Sequence, residues 1–116
     1  MKIGCPKEIK PQEFRVGMTP NAAYEAVTKG HEVVIETGAG VGAGFDDAAY
    51  TDAGATILAT AQEVFASADM IVKVKEPQAV ERKMLREGQI LFTYLHLAPD
   101  PEQTKDLLAS GATCIA

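Results

Sequence analysis

The most constraining feature of this sequence is its alternation of short apolar runs with segments that carry helix signals. Short runs of this kind, rich in β-branched residues, predict strands. A chain that alternates strands with helices makes right-handed crossovers and builds a mostly parallel sheet with helices on both faces. We therefore predict an α/β domain of Rossmann-like or flavodoxin-like architecture. The predicted strands are Met1 to Cys5, Glu32 to Glu36, Thr56 to Leu58, Met70 to Val74, Ile90 to Leu95 and Thr113 to Ala116.

Capping residues mark the helices between these strands. A threonine followed by proline, a threonine followed three residues later by glutamate, and an aspartate followed by proline each indicate a helix start, and glycine indicates a helix end. The predicted helices are Thr19 to Gly30, about Asp47 to Ala53, one that begins at Thr60, about Ala79 to Arg86, and Asp100 to Gly111.

Composition limits the class of protein. The 116 residues suit one domain, and 47% apolar with 23% charged residues is the balance of a globular chain. A net charge of -5, with no cluster of Lys and Arg and no Trp, argues against nucleic-acid and anionic-membrane surfaces. No apolar run approaches the roughly 18 residues of a membrane helix, and the first residues lack the features of a signal peptide. We predict a cytoplasmic protein whose partners are small molecules or other proteins.

The last predicted strand, Thr113 to Ala116, stops without a cap, a turn or a polar tail. A finished domain more often ends in a terminal helix or a frayed polar segment. We therefore expect residues 1–116 to form one domain that is incomplete.

Cys5 and Cys114 each lie in an apolar stretch that is predicted to be a strand. Their spacing matches no metal-ligand motif, and thiols stay reduced in the cytosol. We predict two reduced thiols without a chemical role.

A glycine-rich segment, Gly38 to Gly44, matches the G-x-G-x-x-[GA] fingerprint of dinucleotide-binding proteins. In a working fingerprint a helix opens within the glycines, and an acidic residue about 20 positions later holds the ribose. Here the segment continues into Asp46 and Asp47, whose carboxylates repel a pyrophosphate, and the acidic residue at the required distance is missing. We interpret the segment as a flexible surface loop that does not bind a dinucleotide.

Three groups that can carry positive charge follow the carboxyl ends of predicted strands: Arg15, Lys75 and His96. In open parallel sheets, ligands bind beyond the carboxyl ends of the strands. Arginine binds a carboxylate through two parallel hydrogen bonds, and histidine titrates near neutrality, which suits proton transfer. The pattern predicts one site for a small anion.

Each of these residues also has a structural interpretation. Arg15 fits a solvated loop arginine, and Lys75 fits one of two alternating strand lysines, with Lys73, that face solvent. His96 fits a half-buried histidine with a backbone partner. Pro77 turns the chain away from the sheet just after Lys75, which favours a position at the rim of a site. His31 is expected to have no catalytic role.

At these same residues the sequence resembles a known superfamily. Glu8-Ile9-Lys10, Glu13 to Val16 and Thr19-Pro20 resemble the opening of the alanine dehydrogenase and proton-translocating transhydrogenase superfamily, and Lys73 to Pro77 and Gly88 to Leu97 resemble alanine dehydrogenase in particular. The similarity covers the whole chain. Transhydrogenases usually carry another residue at the position of Lys75 and lack a histidine at the position of His96, and this contrast favours the dehydrogenase.

The resemblance implies roles for the three residues. Arg15 corresponds to the family's substrate-binding arginine, Lys75 to its substrate-binding lysine, and His96 to its proton donor and acceptor. The implied reaction is the reversible oxidative deamination of L-alanine to pyruvate and ammonium, with hydride transfer to NAD. Phe14 stands where relatives often carry tyrosine.

The resemblance also implies that this chain is the N-terminal, substrate-binding part of the enzyme and is inactive alone. The family's catalytic aspartate and its NAD-binding domain lie beyond residue 116, a C-terminal return of the chain completes the first domain, and the enzyme is a homo-oligomer. Two alternatives stay open: the equivalent lobe of a transhydrogenase α subunit, and a non-catalytic α/β module for binding or assembly.

Overall fold

The computed structural model describes residues 1–116 and contains one sheet of six parallel strands. The strands are β1 (Lys2–Cys5), β2 (Glu32–Glu36), β3 (Thr56–Leu58), β4 (Met70–Val72), β5 (Ile90–Phe92) and β6 (Thr113–Ile115). Their order across the sheet is β3-β2-β1-β4-β5-β6. The chain builds outward from β1 in one direction and then returns to the other side of β1, which is the strand order of the Rossmann fold. The prediction of a parallel α/β sheet is confirmed, with the Rossmann order rather than the flavodoxin order.

Five α-helices and one short 3-10 helix connect the strands. They are α1 (Pro20–Thr28), the 3-10 helix Val41–Ala43, α2 (Asp47–Asp52), α3 (Ala61–Ser67), α4 (Ala79–Arg82) and α5 (Pro101–Ser110). The predicted caps are present, because the side chains of Thr19, Thr60 and Asp100 accept backbone hydrogen bonds in the first turns of α1, α3 and α5. None of the helices is long and apolar enough to span a bilayer.

Helices cover both faces of the sheet. In β2, Val33 and Ile35 face a core cluster that includes residues of α1 and α2, whereas Val34 faces a second cluster that includes residues of α3 and α5. Successive strand residues point to opposite faces, so this alternation buries β2 on both sides. Fully burying an aliphatic side chain of this size contributes about 1.5–3 kcal/mol. The two clusters therefore fix the central strands, from whose ends the candidate site projects.

Two strands and one helix end well before their predicted ends, whereas β1 and β6 differ from the prediction by a single residue each. β4 ends at Val72 rather than Val74, because the Val74 N–H donates to the side chain of Glu8 instead of to a neighbouring strand. β5 ends at Phe92 rather than Leu95.

The shortened helix is α4, which ends at Arg82 rather than Arg86. Beyond it, the N–H groups of Met84 and Leu85 bond to carbonyls three residues earlier. This tighter spacing ends the α-helical pattern.

The two cysteines are unpaired. Cys5 is fully buried at the end of β1, and burial raises the pKa of its thiol to about 12. Cys114 is half-buried in the edge strand β6, and burial raises its pKa as well. Neither environment favours the reactive thiolate, in keeping with the predicted lack of a chemical role.

Candidate functional site

Three adjacent loops meet at the carboxyl edge of the sheet. Because all the strands are parallel, the segments that follow β1, β4 and β5 leave the sheet at the same edge, and these three strands are neighbours. The segments carry Arg15, Lys75 and His96, respectively. The gap between β1 and β4 is also the point where the strand order reverses, which is where ligands bind in open α/β sheets.

Arg15 is an exposed loop residue whose side chain is already oriented. Its backbone N–H and Nε donate to Oε2 of Glu13 at 2.9 Å, and Nη2 donates to Oε1 at 2.8 Å. Hydrogen bonds from the side chain and backbone of Arg15, with a smaller contribution from the charges of Arg15 and Lys75, lower the pKa of Glu13 to about 2. The pair uses one edge of the guanidinium and leaves Nη1 without a partner in this chain. Arg15 is therefore held in place with donors still available.

Lys75 is half-buried, and its ammonium makes no ion pair with any residue of this chain. Its charge makes a small contribution to the low pKa of the Glu13 carboxyl, after the hydrogen bonds from Arg15. The alternative in which Lys73 faces solvent from the same strand is wrong, because only 1% of the Lys73 side chain is exposed. The chain leaves the sheet after Val72, so the alternation of a strand no longer applies there.

His96 is exposed and has a left-handed backbone conformation, with φ of 52°. Within this chain its side chain is exposed rather than half-buried, which does not fit the alternative of a half-buried histidine with a backbone partner. A left-handed conformation is uncommon for a residue other than glycine and costs of order 1–3 kcal/mol, and such residues cluster at functional sites. The other histidine, His31, lies just before β2 at the opposite edge, where Nδ1 is 3.1 Å from the N-terminal amine of Met1.

Glu76 is a buried carboxyl group that follows Lys75 directly in the sequence. Burial raises the pKa of Glu76, but hydrogen bonds from Lys10 and from the backbone, together with the charges of Lys10 and His96, outweigh this effect. The net pKa lies below the usual value, which favours the charged carboxylate form of Glu76.

The glycine segment Gly38 to Gly44 packs against the loop that carries Arg15. A Cβ at Gly42 would lie 3.0 Å from the carbonyl oxygen of Phe14 and 3.1 Å from its Cα, so glycine permits this close approach. The segment was predicted to be a flexible surface loop. In the structure it packs against the loop that carries Arg15, and part of it is a 3-10 helix.

The start of α2, which follows the glycines, is occupied by carboxylates of the chain itself. Asp46 accepts the Ala49 N–H, and Asp47 accepts the Gly38 N–H at 2.9 Å. These N–H groups are therefore not available to a pyrophosphate.

Two cavities lie at this edge of the sheet. One of about 290 Å³ lies between the loop after β1 and the glycine segment, and it is lined by Lys7, Glu8, Glu13 and Arg15 among others. The other, of about 420 Å³, lies at the ends of β4 and β5. Neither is lined by Lys75 or His96, so within this chain the candidate site is an open edge rather than a closed pocket.

Sequence reasoning missed a buried group of charged residues beneath this edge. Lys73 Nζ lies 3.0 Å from Glu8 Oε1 and 3.6 Å from Glu81 Oε1, and all three side chains are at most 2% exposed. Glu8 and Lys73 lie in the quoted sequence motifs but match no ligand spacing. Only the burial of these side chains distinguishes them, and burial cannot be read from the sequence.

The strand order and the position of the candidate site define an α/β domain of the Rossmann type, with the candidate side chains beyond the strand ends. Residues 4–116 match the family model described as the N-terminal domain of alanine dehydrogenase and PNT. The chain belongs to this family.

Named relatives of this chain are alanine dehydrogenases. The chain is 54% identical to the alanine dehydrogenase of Halomonas elongata and 57% identical to that of Methanococcus maripaludis, in each case over 100% of the chain and 31% of the relative. A solved structure of an L-alanine dehydrogenase superimposes with a TM-score of 0.97 at 51% identity, covering 100% of this chain and 32% of that one. The chain therefore spans about a third of the length of these relatives.

A transhydrogenase is a more distant neighbour. The crystal structure of transhydrogenase from Sinorhizobium meliloti superimposes with a TM-score of 0.93 at 30% identity, covering 100% of this chain and 34% of that one. The predicted resemblance to alanine dehydrogenase in particular is confirmed by the higher identities.

Proposed function

We propose that this chain is the substrate-binding part of an NAD-dependent L-alanine dehydrogenase, which converts L-alanine reversibly to pyruvate and ammonium. The observation that carries the proposal is the placement of Arg15, Lys75 and His96 on three adjacent loops at one edge of the sheet. Relatives more than 50% identical over the whole chain bear the name alanine dehydrogenase, which supports the same reaction.

Arg15 binds the substrate carboxylate in this proposal. Glu13 occupies the edge of the guanidinium formed by Nε and Nη2, so the Nη1 side remains for a second carboxylate. Charge-assisted hydrogen bonds contribute about 1.5–3 kcal/mol each when sheltered from water. Arg15 is 61% exposed here, so its full contribution requires the site to be covered.

Lys75 and His96 act on the reacting carbon and its substituents. The Lys75 ammonium lies near the carbonyl oxygen of pyruvate and stabilises the negative charge that develops there. His96 gives and takes the proton as water adds or ammonia leaves, with Glu76 as the neighbouring carboxylate. In this proposal Lys75 stabilises charge and His96 transfers protons.

NAD is bound by residues outside this chain in this proposal. The glycine segment resembles a dinucleotide fingerprint, but Asp47 accepts the N–H of Gly38 and Asp46 accepts the N–H of Ala49 in α2, so both carboxylates place negative charge where a pyrophosphate would lie. The cofactor supplies the hydride acceptor, and the residues described here supply binding and proton transfer.

We further propose that the full-length enzyme is a cytoplasmic homo-oligomer that binds neither nucleic acid nor membrane. The net charge of -5 and the lack of a basic cluster support the last two points. Light scattering of the full-length protein measures its oligomeric state, and a stable monomer contradicts this part.

The proposal is tested with the full-length protein that carries this sequence. We expect NADH to form on addition of L-alanine, and to form much more slowly with Lys75→Ala or His96→Ala. Lys29→Ala and His31→Ala are matched controls at the opposite edge of the sheet and should keep wild-type rates. Hydride exchange between two nicotinamide nucleotides without an amino acid would instead support a transhydrogenase, the second candidate, whose solved structure has the same fold at 30% identity.

A further inference from the structure

We infer that Glu8 is a positioning residue, which fixes the backbone of Lys75 through a buried set of contacts with Lys73 and Thr93. We call these three residues the Glu8 clamp. The inference rests on the proposed function, because it assigns Glu8 a task in placing Lys75 for substrate binding.

Both carboxylate oxygens of Glu8 bind the segment that carries Lys75. Oε1 accepts the Lys75 N–H at 3.0 Å and Lys73 Nζ at 3.0 Å, and Oε2 accepts the Val74 N–H at 3.0 Å. The Glu8 side chain is 2% exposed, so water does not compete for these bonds. Glu8 belongs to the loop after β1, which also carries Arg15, so the contacts join the Arg15 loop to the Lys75 segment.

The carbonyl group of Lys75 is held from the other side. Its oxygen accepts Lys73 Nζ at 2.8 Å and lies 2.9 Å from Thr93 Oγ1. Thr93 follows β5 directly and precedes His96 by three residues in the sequence. The peptide groups of Lys75 are thus fixed by residues of the two loops that carry the other candidate side chains, while the Lys75 ammonium makes no ion pair.

Stability alone does not account for this arrangement. Removing a lysine and two carboxylates from water is costly, and buried ion pairs are often no more stabilising than well-packed apolar residues of similar volume. The specific consequence of the Glu8 contacts is geometric, because they determine where the backbone of Lys75 lies. A shift of about 1 Å in a binding group is enough to cost up to about 10²-fold in rate.

The test compares Glu8→Gln with Glu81→Gln in the full-length enzyme. Glutamine at position 8 has one oxygen, so its amide group must face at least one of the donors that Glu8 now accepts. Glu81 also pairs with Lys73, at 3.6 Å, but its other bond is from the Gln78 N–H, and it does not contact Lys75. The two variants replace a carboxyl group by an amide in the same buried cluster, and only Glu8→Gln removes a hydrogen bond from the backbone of Val74 or Lys75.

We expect Glu8→Gln to lower kcat/KM for pyruvate about 10- to 100-fold, chiefly through a higher KM for pyruvate, with the KM for NADH unchanged. Glu81→Gln should leave the KM for pyruvate within about threefold of wild type, since it leaves the amides of Val74 and Lys75 bonded. An equal loss of kcat in both variants, with pyruvate KM unchanged, would mean that Glu8 acts only on folding and would overturn the inference.

Thr93→Val is a second test of the inference, to be used if Glu8→Gln does not fold. It removes the hydroxyl beside the Lys75 carbonyl, keeps the shape of the side chain and leaves the buried charges unaltered. We expect it to raise the KM for pyruvate about 3- to 10-fold, in line with the loss of one buried hydrogen bond. A wild-type pyruvate KM in this folded variant also overturns the inference.

Hydrogen exchange separates failure of this inference from failure of the proposed function. Loss of the Glu8 carboxylate should speed exchange at the amides of Val74 and Lys75, whatever the enzyme's substrate. Faster exchange in a protein that does not oxidise L-alanine overturns the proposed function and, with it, the link between the clamp and pyruvate. Alanine oxidation with an unchanged pyruvate KM in Glu8→Gln overturns the inference alone.

Discussion

Gly17 sets the distance between the Arg15 loop and the Lys75 segment, and replacing it should damage substrate binding. A Cβ at position 17 would lie 2.5 Å from the carbonyl oxygen of Val72 and 2.8 Å from the Cα of Lys73. Both contacts are with backbone, so no side-chain rotation relieves them, and the two segments must separate by roughly 1 Å to reach an ordinary contact distance. The separation occurs between the segments that carry Arg15 and Lys75.

We expect Gly17→Ala to lower kcat/KM for pyruvate about 10- to 100-fold, which corresponds to about 1.4–2.8 kcal/mol of transition-state stabilisation. Overpacking should also lower the free energy of unfolding by about 1–3 kcal/mol. The assay is the initial rate of NADH oxidation with pyruvate and ammonium, together with denaturant unfolding of the same full-length protein.

Gly30→Ala is the matched control for Gly17→Ala. Gly30 has φ of +90°, so alanine is strained there, yet nothing lies within 4 Å of the added Cβ. The strain costs about 1–2 kcal/mol, at the opposite edge of the sheet. If both variants lose similar stability and both keep the wild-type kcat/KM for pyruvate, the argument that Gly17 spaces the site is refuted.

Three further predictions follow from the side chains of the site and the core. In the full-length enzyme, His96→Ala should lower kcat about 10²- to 10⁴-fold with a smaller change in pyruvate KM, whereas Arg15→Ala should chiefly raise that KM; near-normal turnover by His96→Ala in steady-state kinetics would make His96 structural. The Glu13 pKa of about 2 lies below its ordinary 4.5, so the bonds to Arg15 are fully formed above pH 4.5 and are lost as the pH falls toward 2; NMR titration of the Glu13 carboxyl carbon checks this, and a midpoint near 4.5 contradicts it. Iodoacetamide should label Cys114 before Cys5, because Cys5 is fully buried and its pKa is raised to about 12; mass spectrometry after brief labelling gives the order.

The sequence predicted correctly those elements whose bounds depend on a few neighbouring residues. β2 and β3 have the predicted bounds, because turn-forming glycines precede both strands and β-branched residues fill them. The start of α5 is likewise set by Asp100 and Pro101 within the same few residues. The edge at which Arg15, Lys75 and His96 lie also followed from the sequence, since parallel strands place their carboxyl ends together.

Long-range contacts explain what the sequence did not reveal. β4 stops short because Val74 donates to Glu8, a residue 66 positions away. The alternative in which Lys73 and Lys75 both face solvent from one strand is wrong for Lys73, which turns inward toward Glu8 once the strand has ended. Strand periodicity describes a residue only while it stays in the strand, and nothing local marks where a distant carboxylate will interrupt it.

The inward-facing glutamates also explain how an acidic chain presents cationic groups at its functional edge. The net charge is -5, yet the Lys75 ammonium has no carboxylate partner. Glu8 directs both oxygens at backbone N–H groups and Lys73, so it holds the Lys75 segment without neutralising the Lys75 side chain. Glu13 does contact Arg15 but takes only one edge of the guanidinium. Both carboxylates are thus bonded to the loops and hold them in place. Donors of Arg15 and Lys75 therefore remain available to an incoming carboxylate.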